Sequence, residues 1–260
     1  MADNRKPPER HCQCKVGCNN PPLDKEPFCE YHKIHGCPIV ANLSGSEPSI
    51  EILDEYNKDP AIRRSHNCFA FAALVKDLEK IDKCRETKDC NVGFHSPGRK
   101  SGHTKLTKSC SDIFMKTVGD VPDAKPSTFE EACPIGYSKV AVVVDEKNDF
   151  HYYLQIDDGK WVHKPGGRKA TTVDSNGSEI IDPELAGRYY PAEYEGDHTL
   201  NYDSFCSYIC FPREKEITLK GGKRASAYRR TVSKAKKRRS ARTRRLKKGS
   251  KSGGPRQRRV

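Results

Sequence analysis

The chain has 260 residues, of which 34% are hydrophobic, with a mean hydropathy of −0.85 and a net charge of +13. That length allows one sizeable core with appendages, and that composition places a good part of the chain outside the core. No run approaches the roughly 18 apolar residues of a membrane span, and residues 1–8 lack the apolar stretch of a secretory signal.

These features predict an intracellular protein, in a nucleus or a virus particle, rather than one secreted through a signal peptide. In a reducing compartment the 12 cysteines read first as metal ligands or nucleophiles. A disulfide framework is the alternative, for an oxidising particle or an unrecognised export route. The charge is unevenly spread. Residues 220–260 hold 19 Lys or Arg and no Asp or Glu, which leaves 29 of the 48 basic residues against 35 acidic ones elsewhere. A mildly acidic folded part therefore carries a strongly basic tail.

Residues 1–10 are polar, contain prolines and are expected to be disordered. Residues 11–38 concentrate cysteine and histidine with little apolar material. Cys14, Cys18, Cys29 and His32 supply two closely spaced ligand pairs, and zinc favours four tetrahedral nitrogen or sulfur ligands in closed structural sites. Cys12 or Cys37 is an alternate for Cys14. The segment Phe28-Cys29-Glu30-Tyr31-His32 resembles the ending of small zinc knuckles. With so few apolar residues, a structural zinc would supply most of its stability.

Residues 39–212 carry nearly all the periodic signal. Residues 68–81 read as an amphipathic helix through Phe69, Ala72, Leu74 or Val75, and Leu78, capped by Asn67 or Ser65. Residues 109–118 and 127–132 are shorter helix candidates, the second opening on a capping box. Residues 140–144 form a continuous apolar run, suited to a buried strand. Residues 151–156 and 160–163 flank Asp157-Asp158-Gly159, a hairpin turn. Residues 205–211 form a last strand or a short helix. Helix first and antiparallel sheet afterwards gives an α+β fold.

Cys68 opens the first helix, and His151 and His163 sit about equally far from the hairpin turn. A thiol is activated as a thiolate, which helix-terminal amides and a nearby imidazole favour. His151 is the base candidate, His163 the group that orients it, and the Cys68 N–H an oxyanion donor. His66-Asn67-Cys68-Phe69-Ala70-Phe71-Ala72, Pro97-Gly98-Arg99-Lys100-Ser101-Gly102, Asp149-Phe150-His151-Tyr152-Tyr153 and Trp161-Val162-His163-Lys164-Pro165-Gly166 together resemble NlpC/P60-like members of the papain-like cysteine peptidase and amidase superfamily. The same arrangement occurs in uncharacterised proteins of large DNA viruses. The resemblance covers residues 56–212. It implies a papain-like core with the nucleophile helix packed on an antiparallel sheet, and cleavage of an amide bond in a peptide or protein substrate. It assigns Cys68 as nucleophile, His151 as base and His163 as the orienting third residue. Phe69 and Phe71 replace the tyrosines of that motif. The long gap between Cys68 and His151 points to an insertion holding Cys84, Cys90 and Cys110.

Residues 213–260 are expected to be disordered. Arg229, Arg230, Lys236, Lys237, Arg238, Arg239, Arg242, Arg244, Arg245, Lys247 and Lys248 form a polybasic run that would bind nucleic acid without sequence preference by releasing counterions. An import receptor or another anionic surface would read the same charges. The whole chain therefore reads as a thiol hydrolase localised by a metal-stabilised knuckle and a nucleic-acid-binding tail. The alternative is a non-enzymatic, nucleic-acid-associated structural protein of virion type, with the peptidase-like part as scaffold.

Overall fold

The computed structural model describes residues 9–14, 18, 20–37, 41–90, 93–103, 105, 107–192 and 199–219. Its helices are α1 (Glu30–His35), α2 (Ile52–Asn57), α3 (Pro60–Ser65), α4 (Cys68–Ala72), α5 (Leu78–Thr87) and α6 (Cys110–Asp120). Its strands are β1 (Lys125–Ser127), β2 (Tyr137–Asp145), β3 (Asp149–Gln155), β4 (Trp161–His163), β5 (Tyr189–Tyr190), β6 (Leu200–Asn201) and β7 (Ser204–Pro212). The fold is α+β. An antiparallel five-stranded sheet runs in the order β1-β7-β2-β3-β4, and β5 pairs with β6 in a separate ribbon.

Side chains alternate across a strand, so this sheet has two different buried faces. Val140, Val142, Val144, Phe150, Tyr152, Leu154, Ile209 and Phe211 face the helices, meeting Phe69 and Phe71 of α4 and Ile113 of α6. Ala141, Val143, Tyr153, Trp161 and Tyr208 face the other way, under Ile180, Ala186, Tyr190 and Tyr202. Burial on both faces explains the unbroken apolar run of β2. The last strand candidate is β7, a strand and not a helix.

Two helix expectations change. The helix from Cys68 stops at Ala72, because Leu74 takes a left-handed conformation (φ 56°). Asp77 then starts α5, its side chain accepting from the Lys80 N–H. Residues 127–132 are not helical: Ser127 ends β1, and Thr128 Oγ1 accepts from Glu131 N–H in a local turn.

Eight of the 12 cysteines are paired, Cys14–Cys37, Cys84–Cys90, Cys110–Cys206 and Cys133–Cys210, which corrects their first reading as ligands or nucleophiles. Cys110–Cys206 ties α6 to β7, and Cys84–Cys90 closes the end of α5. Hydrogen bonds also reach residues on either side of 39–212. Arg10, within the stretch expected to be disordered, donates to Leu23 O and Ser178 Oγ. Arg213 donates to Ser138 Oγ and Ala72 O, and Leu219 is buried, so ordered chain runs past residue 212. The polybasic run from Arg229 to Lys248 lies outside the described residues.

Candidate active site and metal cluster

Asn67 and not Ser65 caps α4, its side-chain oxygen accepting from Ala70 N–H while its amide donates to His95 O. A cap that is itself anchored fixes where the helix begins, and the first helical residue is Cys68. Its sulfur lies against the edge of β3, where β4 has already ended, and donates to Phe150 O at 3.8 Å. Burial pushes the Cys68 thiol up, and the Asp149 charge adds to it. Amide groups of Tyr152 and Phe69 and the Lys164 ammonium act in the opposite direction.

His151 rises from the same strand onto the opposite face, among Tyr153, His163 and Tyr202. The hairpin centre is at residue 158, because Gln155 pairs with Trp161 and Tyr153 with His163. His151 is therefore diagonal to His163 and not opposite it, two residues further along the strand. Diagonal neighbours on one face remain within reach of long side chains, and His151 Nε2 meets His163 Nδ1 at 2.8 Å.

The protons on these rings follow from their partners. His163 Nε2 is 2.9 Å from Val173 O, which can only accept, so Nε2 carries the proton. Burial lowers His163 to about 4, leaving the ring neutral and its Nδ1 bare. His151 Nε2 must then donate to that Nδ1. His151 is also held neutral, by burial first and then by His163 and Lys164. Its bare nitrogen is Nδ1, a base.

Cys68, His151 and His163 are thus gathered around one strand, but the thiol's hydrogen bond goes to a carbonyl and not to an imidazole. Cys68 is 4% exposed and His151 3%. A cavity of about 490 Å³ opens beside His163, lined by Arg168, Lys169, Tyr189 and Tyr190 among others, and neither Cys68 nor His151 lines it.

The N-terminal cysteines form a second centre with a changed membership. Cys14, expected as a ligand, is bonded to its own alternate, Cys37, so neither is available. Cys12 takes the place instead. Ligand atoms of Cys12, Cys18, Cys29 and His32 all lie within 4.8 Å of one another. Tetrahedral zinc sets sulfurs about 3.8 Å apart and sulfur about 3.5 Å from nitrogen, given its usual bond lengths. Here Cys18 and Cys29 sulfurs are 3.5 Å apart, and His32 Nδ1 is 3.4 Å from both Cys12 and Cys29 sulfur. The donor set fits a structural metal.

Neither a family model nor a solved structure matches the chain. Among curated proteins, Insoluble matrix shell protein 1 of Ruditapes philippinarum is similar. The two are 26% identical over 149 residues, which is 55% of this chain and 84% of that protein.

Three further residues were not singled out from the sequence. Val173 acts through its backbone carbonyl, which any residue type supplies. Gln13, between Cys12 of the cluster and the bridged Cys14, donates to Glu179 O and accepts from Ile181 and Asp182 N–H. Lys164 is fully buried, with Nζ at 2.5 Å from Arg63 O, His66 O and Gly166 O. Its place immediately after His163 is the signal that would have found it.

Proposed function

We propose that the sheet-bearing part is a thiol hydrolase of NlpC/P60-like, papain-like type, cleaving an amide bond in a peptide or protein. The observation that carries this reading is the relay from Val173 O through His163 to His151, which leaves His151 Nδ1 as an unprotonated base. In the reaction, that nitrogen takes the Cys68 S–H proton as sulfur attacks the substrate carbonyl carbon. The Cys68 N–H faces the developing oxyanion. The imidazolium, steadied through its Nε2–H by His163, then returns the proton to the amide nitrogen as the C–N bond breaks. Water hydrolyses the resulting thioester. Rotation of the thiol away from Phe150 O precedes attack, a tightening common when a substrate arrives.

The test is labelling of Cys68 by iodoacetamide at mildly acidic pH, read by peptide mass spectrometry on the full chain and on His151→Ala. Base assistance predicts a roughly hundredfold slower rate in the variant. Equal rates sink the reading.

A second reading, a structural protein using this part as scaffold, is favoured by the near-complete burial of Cys68 and by the similarity to a protein named for an insoluble shell matrix. It predicts no dependence on His151. Under either reading, Cys12, Cys18, Cys29 and His32 would hold a structural zinc, and the basic tail would bind nucleic acid. Deletion of residues 220–260 that leaves low-salt nucleic-acid retention unchanged removes the latter idea. Four disulfides support an oxidising setting, such as a virus particle or the cell exterior, over a reducing nucleus.

A further inference from the structure

His163 ends β4, and Lys164 directly after it sends its side chain to different partners. One arm reaches His151. The other crosses to the segment that precedes Cys68 and meets three carbonyls: Arg63 O in the last turn of α3, His66 O at its end, and Gly166 O in Lys164's own turn. Carbonyls at a helix C-terminus have no intrahelical partner, so Lys164 satisfies part of α3 from across the fold. His66 is two residues before the nucleophile. The anchor therefore acts on the turn that sets where Cys68 begins.

Three acceptors around one nitrogen require three N–H groups, which an ammonium has and a neutral amine lacks. The geometry holds Lys164 in its charged form, although burial first and the Arg63 charge after it, opposed by Cys68, draw it down to about 7. Among the described residues no carboxylate pairs with it. The charged and titratable groups facing it are Arg63 and His66 from α3 and its cap, Cys68 from α4, and His151 from β3. Those facing Cys68 are Lys164, Asp149, Tyr152, Tyr153 and Tyr202. Within that second set Lys164 is the one cation.

We propose that Lys164 is a positioning residue of the thiol site, tying the turn that carries Cys68 to the strand that carries His163 and favouring the thiolate by its charge. Its purpose rests on the hydrolase reading, but its measurement does not. The experiment follows the pH at which iodoacetamide labelling of Cys68 reaches half its maximal rate, in the full chain, for wild type, Lys164→Met and Lys164→Arg.

Looser packing alone admits water, relieves the burial that raises the thiol and so moves that midpoint down, not up. Loss of the charge moves the midpoint up by about one pH unit, so that labelling below it slows roughly tenfold, and Lys164→Arg moves it back toward wild type. A folded Lys164→Met protein with the wild-type midpoint overturns the proposal. Should the methionine variant fail to fold, Lys164→Gln, which keeps two N–H donors for the carbonyls without the charge, carries the same expectation and the same refutation. Wild-type labelling that is indifferent to His151 removes the hydrolase reading alone and leaves the comparison of midpoints intact.

Discussion

Which nitrogen of His151 is free to act is decided at the Val173 carbonyl, two hydrogen bonds away. A carbonyl that only accepts fixes the His163 proton on Nε2, and the neutral His163 ring then fixes the proton of His151. Tyr153 stacks on His163 at 5.2 Å and keeps its plane. His163→Phe preserves the ring and that stacking while removing both nitrogens. Two effects are expected. The part-buried Val173 carbonyl loses its donor, costing about 1 kcal/mol in thermal or denaturant unfolding. His151 loses its fixed tautomer, so Cys68 labelling at pH 7 falls at least roughly tenfold. A variant that loses stability and keeps its labelling rate would show His163 to be a core residue and nothing more. The histidines were legible because strand positions beside a turn constrain them. Val173 was not, since a backbone acceptor leaves no trace in residue type.

At the scale of elements, α4 is only five residues long and is held from outside at both ends. Lys164 acts on the carbonyl of His66 before it, and Arg213 donates to Ala72 O at its other end. The apolar spacing of Phe69, Ala72 and Leu78 suggested one long helix, because periodicity does not register a left-handed residue such as Leu74 or the Asp77 cap. The knuckle is built on the same plan. Zinc would organise Cys12, Cys18, Cys29 and His32, and Gln13 pins that unit to residues 179–182 by three hydrogen bonds. Those residues adjoin the loop that supplies Val173 O, through the Val173–Glu179 bridge. Metal analysis of the full chain should find about one zinc per chain, and removal by a chelator should loosen this loop. Hydrogen exchange at Ile181 and Asp182 would report it, with protection falling on chelation and also in Gln13→Ala. Unchanged protection in both cases would separate the knuckle from the site. The cysteine spacing made a metal legible. It left Cys12, Cys14 and Cys37 interchangeable, because spacing cannot say which of three nearby thiols oxidises.

Across the whole molecule, five histidines among the described residues are buried, and outside the cysteine cluster that holds His32 these are His66, His95, His151 and His163. Burial, the largest influence on each, lowers His66, His95 and His163 to about 4 and His151 well below its usual range. Asp77, 3.6 Å from His95 Nε2, works against this at His95 and at His66 and is outweighed by desolvation at both. In the unfolded chain a histidine takes up its proton near pH 6.5. Between there and pH 4 the unfolded state binds more protons than the folded state, so stability rises with pH across that window. It is fully present above about 6.5 and is lost as the pH falls. Each of the three groups near 4 accounts for on the order of 3 kcal/mol over the window, a sizeable share of the roughly 5–15 kcal/mol typical of a domain. The four disulfides restrict the unfolded chain and so set the height of the stability curve. They take up no protons and cannot set its slope. The melting temperature of the oxidised protein should therefore hold steady above pH 7 and drop steeply from pH 6 to 4.5, with His66→Gln flattening part of the slope. A melting temperature that stays level down to pH 4.5 would mean that these histidines reach water or a counter-charge, and would undo the neutral relay on which the proposed role of His151 as a base depends.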